Sequence, residues 1–65
     1  MITLNGEVRA MPTGATVSDL LAELELDPRY LAVEVNRQVI PRGRHAATEL
    51  CSDDCVEIVT LVGGG

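Results

Sequence analysis

The stretch Val56-Glu57-Ile58-Val59-Thr60-Leu61-Val62-Gly63-Gly64-Gly65 closes the chain, and its reading decides the fold. Residues 56–62 are almost all β-branched or large aliphatic, a composition that favours a strand. Apolar side chains occupy both faces: Val56, Ile58 and Val62 on one, Val59 and Leu61 on the other, interrupted only by Glu57 and Thr60. A strand buried on one face alternates cleanly, and this one does not. Two explanations stay open. Either the strand is central and neighbours shield its second face, or Val59 and Leu61 form an exposed apolar patch that binds a partner.

Half of the chain's six glycines then follow as Gly63, Gly64 and Gly65. Glycine costs the most backbone entropy to order and has no side chain to pack. It does let a chain end enter a channel too narrow for other residues, and three residues reach about 10 Å. The expectation is that the working group is the α-carboxylate of Gly65, with Gly63 and Gly64 as a thin tether and residues 1–62 as the domain that presents it. The alternative is a frayed end or an expression scar.

Composition narrows the function classes. Sixty-five residues make one small domain, and 46% hydrophobic content excludes a disordered tail. With no Phe or Trp and one Tyr, the core is aliphatic. A net charge of −5 with no lysine argues against nucleic acid, which requires a basic patch to displace counterions. Arg37, Arg42 and Arg44 lie close in sequence and read as a solvated or ion-paired edge. No apolar run reaches membrane-spanning length and no secretory signal opens the chain, so the expectation is a cytoplasmic protein. Cys51 and Cys55 are spaced C-x3-C, neither a redox pair nor half of a zinc site, and read as separate thiols. No metal site is expected. No combination of Ser, His and acid suggests a catalytic triad, and His45 reads as a surface or edge residue.

Outward from the last strand, residues 1–4 read as a first strand with Ile2 and Leu4 on one face. Asn5-Gly6 signals a hairpin into a second strand over residues 7–11. A two-residue loop would put Glu7 and Arg9 on the face of Ile2 and Leu4. An odd loop, which sets Leu4 beside Val8, or a bulge keeps that face apolar, and is the expected arrangement. Thr16 reads as an N-cap with Asp19 completing a capping box, and Val17, Leu20, Leu21 and Leu24 share one helical face. Pro28 ends this helix at or before Asp27. Residues 31–36 and 38–41 read as two further strands, the latter at an edge because Pro41 has no N–H to donate. Residues 42–50 form a connection with one short helical turn, and residues 52–54 a polar turn. Hairpin, helix, two strands, crossover and strand describe an α+β fold, the β-grasp (ubiquitin-like): a mixed five-stranded sheet packed on one helix. Its first and last strands are adjacent, parallel and central, so the chain end leaves from the middle of the sheet.

Particular residues carry a resemblance. Leu4-Asn5-Gly6-Glu7, the helix from Thr16, Ala32-Val33-Glu34-Val35-Asn36, Val39-Ile40-Pro41-Arg42, Val56-Glu57-Ile58-Val59 and Val62-Gly63-Gly64-Gly65 are together similar to the ThiS family of sulfur carriers. One departure is Asp53-Asp54, where the family usually has Gly-Asp; aspartate accepts left-handed geometry at some cost. The resemblance implies a co-substrate rather than an enzyme. A ThiF-like adenylating enzyme would use ATP to activate the Gly65 carboxylate, and the magnesium would belong to that enzyme. Sulfur from cysteine, supplied by a desulfurase or another donor, would convert it to a thiocarboxylate. A ThiG-like thiazole synthase would take that sulfur for the thiazole of thiamine. No cofactor resides on the chain itself. Alternatives are a carrier for another acceptor, like the small subunit of molybdopterin synthase or a tRNA-thiolation carrier, a ubiquitin-like modifier, and an inert β-grasp module.

Overall fold

A computed structural model describes residues 1–61 of the chain. Among these residues there are five strands and one α-helix: β1 (Ile2–Leu4), β2 (Glu7–Arg9), α1 (Val17–Glu23), β3 (Leu31–Val35), β4 (Gln38–Ile40) and β5 (Cys55–Thr60). The strand order is β2-β1-β5-β3-β4. β5 is therefore central, parallel to β1 and antiparallel to β3. This is the expected β-grasp, with the Pro41-bounded β4 at an edge.

The helix forms where the sequence places it. Thr16 is extended and its hydroxyl accepts from Asp19 N at 3.1 Å, while Thr16 N donates to the Asp19 carboxylate at 2.9 Å. Two N–H groups at this helix start are thereby satisfied by one reciprocal box. The helix stops at Glu23, before Pro28 can act on it. Leu26 N donates to Leu21 O and Glu25 N to Ala22 O, with Glu25 at φ 57°. That is a Schellman end with glutamate at the position glycine usually takes. Val17, Leu20 and Leu21 are buried against Ile2, Leu31, Val33, Val35, Leu50 and Val56, an aliphatic core between the helix and one face of the sheet. Leu50 N donates to Ala15 O and Val17 N to Thr48 O, which fastens the β4–β5 connection beside the helix start.

Two expectations are overturned. The first hairpin has the two-residue loop, with Leu4 opposite Glu7 and Ile2 opposite Arg9. Asn5 and Gly6 take φ 48° and 86°, the left-handed pair of a tight hairpin turn, and this local preference sets the register. The anticipated penalty is avoided because β2 is an edge strand. The stem of Arg9 covers the helix side and its guanidinium reaches Glu23 of α1 at 2.8 Å. Val8 is left on the outer face, and the strand ends at Arg9 rather than at residue 11. Second, His45 is not at the surface. It is buried at 4% exposure in a 3₁₀ turn over Arg42–Ala47. Its Nε2 lies 3.0 Å from the Ile40 carbonyl, which makes Nε2 the protonated nitrogen and ties the turn to the end of β4. Nδ1 is buried without a partner among the described residues.

Candidate functional site

The candidate site is the exit of β5 and the sheet face beside it. Gly63, Gly64 and Gly65, to which the sequence assigns the chemistry, lie outside the described residues. Their attachment point is defined. Leu61 N donates to Tyr30 O at 2.7 Å, so pairing with β3 continues to the last described residue. On the other side of β5, β1 has ended at Leu4. Asn5 replaces the missing strand: Ile58 N donates to Asn5 Oδ1 at 2.8 Å, and Asn5 Nδ2 donates to Ile58 O at 3.3 Å. Beyond Ile58, β3 alone pairs with the strand.

At the opposite end of β5, Asn36 performs a similar service. It turns at φ 51°, its backbone N donates to Cys55 O at 2.7 Å, and its Oδ1 accepts from Cys55 N at 3.0 Å. Its Nδ2 donates to Asp54, whose second oxygen accepts from Cys51 N. Asp53, in the place of the usual glycine, adopts φ 69°, as the departure from the family pattern requires. The strand that delivers the terminus is thus fixed at its start by Asn36 and Asp54 and along its flank by Asn5.

Alternation along β5 divides its residues. Val56 is buried under the helix and Ile58 is half-buried. Val59 and Leu61 stand on the outer face at 55% and 54% exposure. The strand is therefore central and its second face is nonetheless open, because five narrow strands with one helix leave that face uncovered. Val39 and Val8 are exposed on the same outer face, to judge from their pairing opposite Glu34 and Thr3. Cys51 and Cys55 are free and exposed. Arg37, Arg42 and Arg44 are all exposed. The ion pairs among the described residues involve the other two arginines, Arg9 with Glu23 and Arg29 with Asp27. The roles of Asn5 and Asn36 were not anticipated. The signal available was only that each opens a turn between strands, whereas their long-range bonds depend on the fold. No helix among the described residues is long and apolar enough to cross a membrane.

Comparison with known proteins places this arrangement. A sequence model of the ThiS family matches residues 2–65, the terminal glycines included. The sulfur carrier protein ThiS of Bacillus subtilis is 41% identical over 66 residues, with both chains covered completely. A thiazole synthase of Magnetococcus marinus is 42% identical over 64 residues, which are 98% of this chain and 20% of that protein. Among solved structures, the thiamine biosynthesis protein ThiS of Geobacter metallireducens superposes with a TM-score of 0.84 at 31% identity, covering 98% of this chain and 97% of that one. The chain belongs to the ThiS family, the sulfur carriers of thiamine biosynthesis, which act as protein co-substrates and not as catalysts.

Proposed function

We propose that the reactive group is the α-carboxylate of Gly65 and that it carries sulfur as a thiocarboxylate to thiazole formation. The observation that carries this reading is the placement of β5: the last strand is central, is locked along its length, and hands the chain on at Leu61 with four residues to go. A carboxylate is a poor electrophile until one oxygen becomes part of a good leaving group. A ThiF-like enzyme attaches AMP from ATP to that oxygen, releasing pyrophosphate. The terminal sulfur of a desulfurase persulfide then displaces AMP to form an acyl disulfide, and a thiol reductant cleaves its S–S bond, leaving the thiocarboxylate and a disulfide. A donor of sulfide would displace AMP directly. Either way the carboxylate exchanges one oxygen for one sulfur. The thiocarboxylate remains ionised and nucleophilic at neutral pH. None of these steps demands a side chain from the carrier. Gly63 and Gly64 give the terminus a cross-section that fits a closed active site and a backbone that a partner can grip.

A ThiG-like synthase is the acceptor in this reading. Relatives named thiazole synthase contain a stretch similar to this whole domain within a longer chain, where it makes up one fifth of the protein. Val59 and Leu61, exposed at the root of the tail, are the apolar contact offered to such partners. Cytoplasmic residence follows from the partners, since ATP and reduced sulfur are needed together.

Intact mass tests the proposal. Incubation with an adenylating enzyme of this pathway, ATP, a cysteine desulfurase with cysteine, and a thiol reductant is expected to raise the mass by about 16 Da, the oxygen-to-sulfur difference. An unchanged mass, with an enzyme active on another carrier, would reject the carboxylate as the sulfur site.

A further inference from the structure

Alternate residues of β5 turn their backbone N–H and C=O groups to opposite flanks. On the β3 flank, Cys55 O accepts from Asn36 N and Leu61 N donates to Tyr30 O. On the β1 flank, Val56 O accepts from Asn5 N at 2.9 Å. In a parallel ladder the residue that donates there would offer its own carbonyl to the N–H two positions further along the neighbouring strand. Asn5 turns away at φ 48°, and its side chain takes over: Oδ1 accepts from Ile58 N at 2.8 Å. Nδ2 then reaches Ile58 O at 3.3 Å. A side chain thus carries the ladder one step past the end of β1. Thr60, the next residue whose backbone faces that flank, has no partner in β1. The last hold on the other flank is Tyr30 O, on a residue that is itself fixed. Tyr30 N donates to Asp27 O at 3.1 Å, and the Arg29 guanidinium lies 5.3 Å from the centre of the Tyr30 ring.

We propose that Asn5 is a positioning residue for activation of the terminal carboxylate. By clamping both backbone groups of Ile58 it keeps residues 58–61 on β3, and so fixes where and in which direction the chain passes to residue 62. This rests on the sulfur-carrier reading above. The bond from Leu61 to Tyr30 is the end of a strand pair, and such ends open readily when one flank alone holds them. Residues 62–65 span about 13 Å at full extension, so a swing at Leu61 is carried over that length to the carboxylate. Every backbone residue that has to be ordered on binding weakens binding. A strand already fixed as far as Leu61 spares the adenylating enzyme that ordering. Asn5 acts through Ile58 and not on the reacting atoms. Its effect therefore falls on capture of the carrier: once the tail is seated, the enzyme sets the geometry of the carboxylate.

Two substitutions in the 65-residue chain test this. Asn5→Gly removes both bonds to Ile58 and keeps the turn angles. Asn5→Asp keeps the turn and the bond from Ile58 N, removes the donation to Ile58 O, and decides the matter if the glycine variant does not fold. Initial rates of pyrophosphate release are measured against carrier concentration, in the mixture that yields the 16 Da gain and at a temperature where each chain is folded. Leu20→Ala serves as a chain destabilised elsewhere. The carrier's KM is expected to rise roughly tenfold in Asn5→Gly, the order set by one further backbone residue to fix, and by a smaller factor in Asn5→Asp. In both, kcat stays near the native value, and Leu20→Ala matches the native chain in both constants. Amide hydrogen exchange at Leu61 is the second readout, because neither substitution touches its bond to Tyr30 O; it is expected to quicken in Asn5→Gly. A native KM in the folded variants, a kcat that falls while KM stays, or a Leu61 amide as protected as before overturns the proposal. Native turnover combined with an unmoved KM strikes the positioning role alone. A native chain that releases no pyrophosphate, beside another carrier that does, strikes the sulfur-carrier reading beneath it.

Discussion

Asp27 illustrates how short polar residues punctuate this chain. Its carboxylate accepts from Arg29 N at 2.9 Å, capping the 3₁₀ turn Pro28–Tyr30, and also grips the Arg29 guanidinium at 2.7 Å. The side-chain bonds to Arg29 and the bond to its backbone lower the Asp27 pKa from 3.8 to about 2. A carboxyl with a depressed folded-state pKa stabilises above its unfolded value and loses that contribution as pH falls through the folded one. The stability difference between the native chain and Asp27→Asn is thus expected to be level near neutrality and to shrink between about pH 4 and pH 2. Urea titrations at several pH values measure it, and a difference that grows on acidification would contradict the assignment. The exposure of this pair keeps its contribution small. Asn36 and Asp53 are similar punctuation at φ 51° and 69°. Asparagine and aspartate accept these angles at modest cost, which is why the last turn survives without its usual glycine.

At the scale of elements, what the sequence revealed depended on which force dominated locally. The capping box, the helical stripe and the edge position of β4 were legible because each rests on neighbours within a few residues. The central place of β5 was legible from the order of the elements, whereas its two apolar faces left a shielded strand and an exposed patch both open. The first register was misread because the rule applied, an all-apolar buried face, is weaker at an edge strand than the turn chemistry of Asn5-Gly6. There the stem of Arg9 covers the core and its head escapes to Glu23. His45 was misread for a related reason. A polar ring with one donor can be buried by a single carbonyl, and no pattern in residues 42–47 announces that Ile40 supplies it. The bonds from Asn5 to Ile58 span 53 positions and could not be read from the sequence at all. They hold β5 where β1 runs out, so Asn5→Ala is expected to cost about 1–3 kcal/mol, more than loss of turn preference alone. Chemical denaturation measures the loss. Asn5→Gly keeps the turn angles and removes the same two bonds; a glycine variant as stable as the native chain would show that Ile58 needs no such partner.

For the whole molecule, the architecture separates stability from chemistry. The core lies between α1 and the inner face of the sheet, with Leu20, Val17, Val33 and Val56 fully enclosed. The outer face and the exit of β5 carry the candidate site, and the three terminal glycines have no side chain with which to join either. Changes on one side should therefore leave the other readable. Leu20→Ala removes a fully buried side chain from a small aliphatic core and is expected to cost about 2–5 kcal/mol. In a domain of this size that lowers the unfolding midpoint by at least about 8 °C. Deleting Gly65 is expected to leave the midpoint within about 1 °C, because it buries no side chain, and to abolish adenylation, because the reacting carboxylate would then lie one residue short of the enzyme's nucleotide. At a temperature where the Leu20→Ala protein is still folded, its adenylation rate should match that of the native chain, since α1 lies across the sheet from the β5 exit. Differential scanning calorimetry and pyrophosphate release, measured on the same two variants, decide the matter. A Gly65 deletion that destabilises strongly would mean that the terminus helps to hold the domain together and is not presented by it. A folded Leu20→Ala chain that is adenylated slowly would mean that the helix side takes part in recognition, and the division between the two faces would have to be redrawn.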